Sequence, residues 1–181
     1  MERNIAYVAL FAALIAALGL LPKFTLVSGI PITAQSLGIM LCGTVLGSKR
    51  GTMAVVLFLV LVALGLPLLA GGRGGLGVFG TPWAGFLFGF PFAAFFAGFI
   101  MENFKFGSIA VVAGIAAVIG GIGVLYAIAI PYYMVGTGKG VIESTATMMP
   151  FIPGDLIKAV LAGIITQALY KARPAAVFSR A

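Results

Sequence analysis

Asp155 and Lys158 stand three positions apart in Pro150-Phe151-Ile152-Pro153-Gly154-Asp155-Leu156-Ile157-Lys158, at the mouth of an apolar stretch. The chain has only four acidic residues in 181 and is 8% charged, so a carboxylate and an ammonium side by side stand out. Ionisable groups at membrane depth are costly and mark functional sites by default. An i, i+3 spacing puts both on one face of a helix. Pro153-Gly154 is a plausible helix start, where the positive end of the helix dipole favours an ionised Asp155. The pair admits two readings. It can neutralise itself at the interface, with Lys158 snorkelling outward. It can equally offer a ligand one acceptor and one donor.

Other polar groups fall at segment ends. Pro31-Ile32-Thr33-Ala34-Gln35-Ser36 opens an apolar stretch with three polar side chains. There Gln35 can hydrogen-bond a ligand, or Thr33 can simply cap a helix. Gly71-Gly72-Arg73-Gly74-Gly75-Leu76-Gly77 contains a formal GxGxxG, but no strand precedes it and no βαβ unit surrounds it. It reads as a flexible loop. Either it is a solvated connector, or it closes over a ligand through its glycines, Gly75 among them, with Arg73 pairing a carboxylate. Trp83, Phe86, Tyr132 and Tyr133 lie near segment ends, as interface anchors or as stacking surfaces for a ligand ring.

Composition narrows the function classes. The chain is 62% hydrophobic with a mean hydropathy of +1.21, too apolar for a soluble domain of this size. There is no histidine and Cys42 is the sole cysteine, so no disulfide, thiolate cluster or ordinary general base is expected. Gly136-Thr137-Gly138-Lys139-Gly140 lacks the spacing and the Ser/Thr of a nucleotide-binding P-loop. With no nucleophile–base pair visible, neither an enzyme nor a resident cofactor is expected. The net charge of +7 is scattered over segment ends, which suits membrane orientation rather than nucleic acid.

The elements that must position these residues are six apolar segments: about Ile5–Leu21, Ile32–Gly47, Gly51–Ala70, Ala84–Met101, Phe106–Ile130 and Pro153–Tyr170. A span needs about 20 residues. The second segment is short, and the fifth is expected to stop before Pro131-Tyr132-Tyr133. Ser48-Lys49-Arg50 reads as a short loop. The whole chain, 1–181, reads as one all-α, polytopic membrane domain with six transmembrane helices. The first segment is taken as a retained span, since no small-x-small cleavage site directly follows it. Six spans bring both termini to one side. That side carries Arg3, Lys49, Arg50, Lys105, Lys171, Arg173 and Arg180, against Lys23, Arg73, Lys139 and Lys158 opposite. The excess of basic residues puts both termini in the cytoplasm and Asp155 and Lys158 outside. Ala9, Ala13 and Ala17 recur every fourth residue in the first segment, a spacing that permits close helix approach, for internal packing or for a partner subunit.

Pro31-Ile32-Thr33-Ala34-Gln35, the glycine-rich run 71–77 and Pro150 through Lys158, in that order across six spans, resemble the BioY family. These are the biotin-binding S components of energy-coupling factor (ECF) vitamin transporters. The resemblance covers essentially the full length. Where the family usually continues with Gly-Pro-Thr-Gly-Gly-Tyr, this chain has Gly80-Thr81-Pro82-Trp83-Ala84-Gly85-Phe86. The resemblance implies a multi-pass protein of a bacterial or archaeal plasma membrane. Its partners would be a transmembrane coupling protein (the T component) and two ABC-type ATPases. It implies that Asp155 and Lys158 lie in the biotin pocket and that Ala9, Ala13 and Ala17 dock on the coupling protein. Arg73 and Gln35 are the candidates, by charge and polarity, for the biotin carboxylate. The competing readings are a self-contained carrier, which six spans without an internal repeat disfavour, and an intramembrane enzyme, which the sparse acids disfavour.

Overall fold

The computed structural model describes residues 2–21, 24–25 and 31–180. Lys23 and most of the first loop lie outside them. The helices are α1 (Glu2–Gly19), α2 (Gln35–Leu46), α3 (Ser48–Ala63), α4 (Ala84–Asn103), α5 (Ile109–Thr137), α6 (Val141–Met148) and α7 (Ile152–Ala172). A 3₁₀ turn at Met149–Phe151 joins α6 to α7, so the seven helices form six helical bodies. Four of these, α1, α4, α5 and the α6–α7 unit, are long and apolar enough to cross a membrane. A two-residue antiparallel ladder, Phe24–Thr25 with Pro31–Ile32, lies between α1 and α2. The protein is all-α, as the hydropathy pattern requires.

The 12-residue α2 is the axis of the bundle: ten of its residues are buried. A helix apolar all round has no lipid- or water-facing side to distinguish and belongs inside. Its short length follows from that position, because α3 continues the path after a one-residue corner. The corner is Gly47, at φ +84°, where a side chain would be strained and a Cβ would collide with the Glu102 carboxylate. Ser48-Lys49-Arg50 is therefore the first turn of α3 rather than a loop. Glu102 Oε1 accepts the Ser48 N–H (2.8 Å) and Oε2 accepts the Ser48 hydroxyl (2.7 Å), so a carboxylate from α4 caps the start of α3. At its other end α3 stops at Ala63, before the expected Ala70, and releases the glycine-rich segment earlier.

α5 also departs from expectation. It passes through Pro131 and ends at Thr137, where Gly138 at φ +72° donates to the Met134 carbonyl (2.8 Å). Proline is tolerated inside membrane helices because neighbouring groups re-satisfy the freed carbonyl. Within α5, Ile119–Val124 is a π-helical turn. Each extra residue rotates the downstream half of the helix by about 100° relative to an unbroken α-helix.

Both terminal regions meet at one end of the bundle. Phe178 packs edge-on against Tyr7 (4.9 Å between centroids), and the Arg3 and Arg50 guanidiniums lie over its ring. The Ser179 hydroxyl donates to the Thr44 carbonyl, and Arg180 donates to the Phe104 carbonyl (2.9 Å). Thr44 and Thr166 join α2 to α7 through their hydroxyls (2.9 Å). Asp155, Arg73 and Trp83 lie away from this end.

Candidate substrate site

Opposite the termini, α2, α4, α5, α7 and the segment after α3 enclose a cavity of about 150 Å³. Its polar floor is made by Ser36, Tyr126, Asp155 and Lys158, one wall by Trp83, Phe86, Phe90 and Phe151, and its rim by Leu69, Ala70, Arg73, Val78 and Thr81. Convergent polar groups inside an apolar, aromatic wall are the usual composition of a small-molecule site.

Asp155 sits in the first turn of α7 and is only 5% exposed. Its Oδ1 accepts from Lys158 Nζ (2.8 Å) and from the Ser36 hydroxyl (3.2 Å), and its Oδ2 accepts from the Tyr126 hydroxyl (2.7 Å). Lys158 Nζ also donates to Ser36 Oγ (2.9 Å). The floor is thus a four-residue network drawn from three helices. The two side chains form an ion pair that lines the cavity, and Lys158 turns inward to Asp155 and Ser36 instead of snorkelling outward. Among the described residues the ammonium meets two acceptors, which leaves its third hydrogen for another.

Tyr126 was not apparent from the sequence. It is an aromatic inside a continuous apolar run, two residues after the π-helical turn that ends at Val124. The glycine-rich run Gly120-Gly121-Ile122-Gly123 is the one local mark of that irregularity. Phe86 packs edge-on against Tyr126 (5.6 Å) and Phe151 (6.4 Å). Trp83 and Phe86, noted among the aromatics near segment ends, both line the cavity. Tyr133 does not: it is buried behind Trp83, with ring centroids 4.4 Å apart, so it fixes the wall without forming its surface.

The glycine-rich segment folds into a hydrogen-bonded turn. Leu69 and Arg73 exchange backbone hydrogen bonds (3.0 and 3.2 Å), and Gly71 and Gly72 supply the positive φ values, +81° and +70°, that close it. Arg73 is exposed at the rim, with Nε donating to the Ala70 carbonyl (3.3 Å). Gly75 is not in the cavity wall. Its N–H donates to the Val62 carbonyl (2.8 Å) and ties the turn to the end of α3.

Gln35 lines the cavity, but its amide is committed elsewhere. Nε2 donates to the carbonyls of Ile15 (3.2 Å) and Leu68 (3.0 Å), and Oε1 accepts the Ala70 N–H (3.0 Å). A ligand carboxylate would have to break one of these bonds, so Gln35 is a strut of the wall rather than a free donor. The Thr33 hydroxyl accepts the Gln35 N–H (3.3 Å) across a local turn, but the residue at the N-cap position of α2 is Ala34. Ala9, Ala13 and Ala17 lie exposed along α1, while Val8, Ala12 and Ile15 face the core.

A polytopic helical membrane protein with a polar-floored, aromatic-walled cavity at one end is built as a membrane substrate-binding protein. The chain belongs to the BioY family, whose model matches residues 2–175. It is 49% identical to the biotin transporter BioY of Rhodobacter capsulatus, over 99% of this chain and 100% of that one. It is 36% identical to the probable biotin transporter BioY of Bacillus subtilis, over 92% and 91% of the two chains. Among solved structures, the S-component for biotin from an ECF-type ABC transporter superposes with a TM-score of 0.88 at 32% identity, covering 94% of this chain and 92% of that one.

Proposed function

We propose that this chain is the biotin-binding subunit of an ATP-driven ECF-type transporter and that Asp155, Lys158, Ser36 and Tyr126 hold the ureido ring. Biotin's ureido group presents two N–H donors and one carbonyl acceptor. Asp155 can accept an N–H, and Lys158 has a donor left for the carbonyl. The observation that carries this is the floor network, closed by side chains from three helices beneath an aromatic wall. Such a floor rejects a ring that lacks the ureido hydrogen bonds, because the buried groups would be left unpaired. Trp83, Phe86 and Phe151 suit the thiophane ring and valeryl chain, and Arg73 at the rim suits the carboxylate.

The chain then acts as one domain in the plasma membrane. The termini end is cytoplasmic, because it carries most of the basic residues, and the cavity opens outward. Membership of the BioY family and the likeness to the biotin S-component of an ECF-type transporter support a coupling protein and two ATPases as the partners that drive uptake. The exposed Ala9, Ala13 and Ala17 stripe of α1 is the docking face, where small residues permit close approach of another helix. Liposomes containing this chain with the coupling protein and ATPases should accumulate labelled biotin in the presence of ATP. Liposomes with this chain alone should not. Uptake by the chain alone would make it a self-contained carrier. Ala13→Trp should leave biotin binding intact and abolish co-purification with the coupling protein. If the complex survives, the stripe is not the docking face.

A further inference from the structure

We infer that Gln35 is a positioning residue that holds the Arg73 turn at the rim, and so sets the preference for a ligand bearing a free carboxylate. The inference rests on the proposed biotin site and assigns Gln35 a role in it other than contact. Gln35 is 3% exposed and Ala70 1%, so the bond between them is shielded from water. The Gln35 Oε1 accepts the Ala70 N–H, and the Ala70 carbonyl accepts Arg73 Nε. One peptide residue therefore separates the amide of Gln35 from the guanidinium of Arg73.

The other half of the amide anchors the turn to α1. Nε2 bridges the carbonyls of Ile15, in α1, and Leu68, just before the turn. The fit is close: a Cβ at Gly19 would meet both the Leu68 carbonyl oxygen (2.5 Å) and Gln35 Nε2 (2.7 Å). Leu69 and Arg73 then close the turn by exchanging backbone bonds. With Nε spent on Ala70, the two Nη groups of Arg73 make no hydrogen bond among the described residues. They are free to take a carboxylate from the side that the turn dictates. Without the strut, Arg73 keeps its charge but loses its direction.

The test compares biotin with biotin methyl ester, which keeps the rings and chain and removes the anionic carboxylate. Wild-type protein should bind biotin about tenfold more tightly than the ester, the scale of one partly exposed charge-assisted pair. Arg73→Gln should abolish that preference and leave the ester's affinity unchanged. Gln35→Met, similar in size but without the amide, should abolish it too although Arg73 remains. The double variant should be no worse than Arg73→Gln alone. Gln35→Asn, which keeps the amide one methylene short, should give the same selective loss at smaller size if the Met variant does not fold. Additive losses, equal weakening of biotin and ester, or an unchanged preference would overturn the inference. A wild-type protein that binds neither compound would instead overturn the proposed function.

Discussion

Glu102 and Asp155 are carboxylates at helix starts near opposite ends of the same bundle. Glu102 accepts two bonds from a single residue, the backbone N–H and hydroxyl of Ser48, and fills the corner that Gly47 leaves open. Asp155 accepts three bonds, all from side chains, contributed by α2, α5 and α7. A carboxylate held by the backbone of a helix it caps cannot let go without fraying that helix. A carboxylate held by side chains can trade one partner for a ligand while the backbone stays in place. The surroundings differ in the same sense. Around Glu102 the C-terminal segment packs in, with Val177, Phe178 and Ser179 buried, whereas Asp155 borders a cavity lined by five aromatic residues. Polar chemistry at the termini end holds the helices together; at the cavity end it is available for recognition.

Substitutions at the two ends should therefore separate binding from stability. The largest effect is expected for Lys158→Met. It removes the donor left for the ureido carbonyl and strips Asp155 of its ion-pair partner. Removing one member of a buried, hydrogen-bonded charge pair costs about 3 kcal/mol, or roughly a hundredfold in the dissociation constant for biotin. Trp83→Ala should come next, at about tenfold, since it removes an aromatic wall face and leaves the floor network untouched. Glu102→Gln should leave biotin affinity within about twofold. It should destabilise the detergent-solubilised protein by about 1 kcal/mol, read as a lower melting temperature, because it weakens the cap of α3. A Glu102→Gln protein that melts normally but binds biotin poorly would erase the contrast between the two ends.

Much of this arrangement was legible from residue order, and the exceptions share a physical origin. Apolar run lengths located the six helical bodies, because the bilayer rewards long apolar segments regardless of tertiary detail. The spacing of Asp155 and Lys158 located the floor, since i, i+3 neighbours meet on any helix. The features that stayed hidden depend on partners distant in sequence. The helical state of Ser48-Lys49-Arg50 relies on Glu102, 54 positions from Ser48. The commitment of the Gln35 amide depends on carbonyls and an N–H that are 20 to 35 positions away. Tyr126 reaches Asp155 across 29 positions, after a π-helical turn that hydropathy does not register. Pro131 read as a terminator by a rule drawn from soluble helices, where neighbouring groups do not offset its missing N–H.

The most direct test of the central claim is a calorimetric titration of biotin into the purified protein and into Asp155→Ala. The account predicts tight, saturable binding by the wild type. It predicts binding at least about a hundredfold weaker in the variant, whose Lys158 and Tyr126 have lost their shared acceptor. No tight binding by the wild type, or equal binding by both proteins, would contradict it.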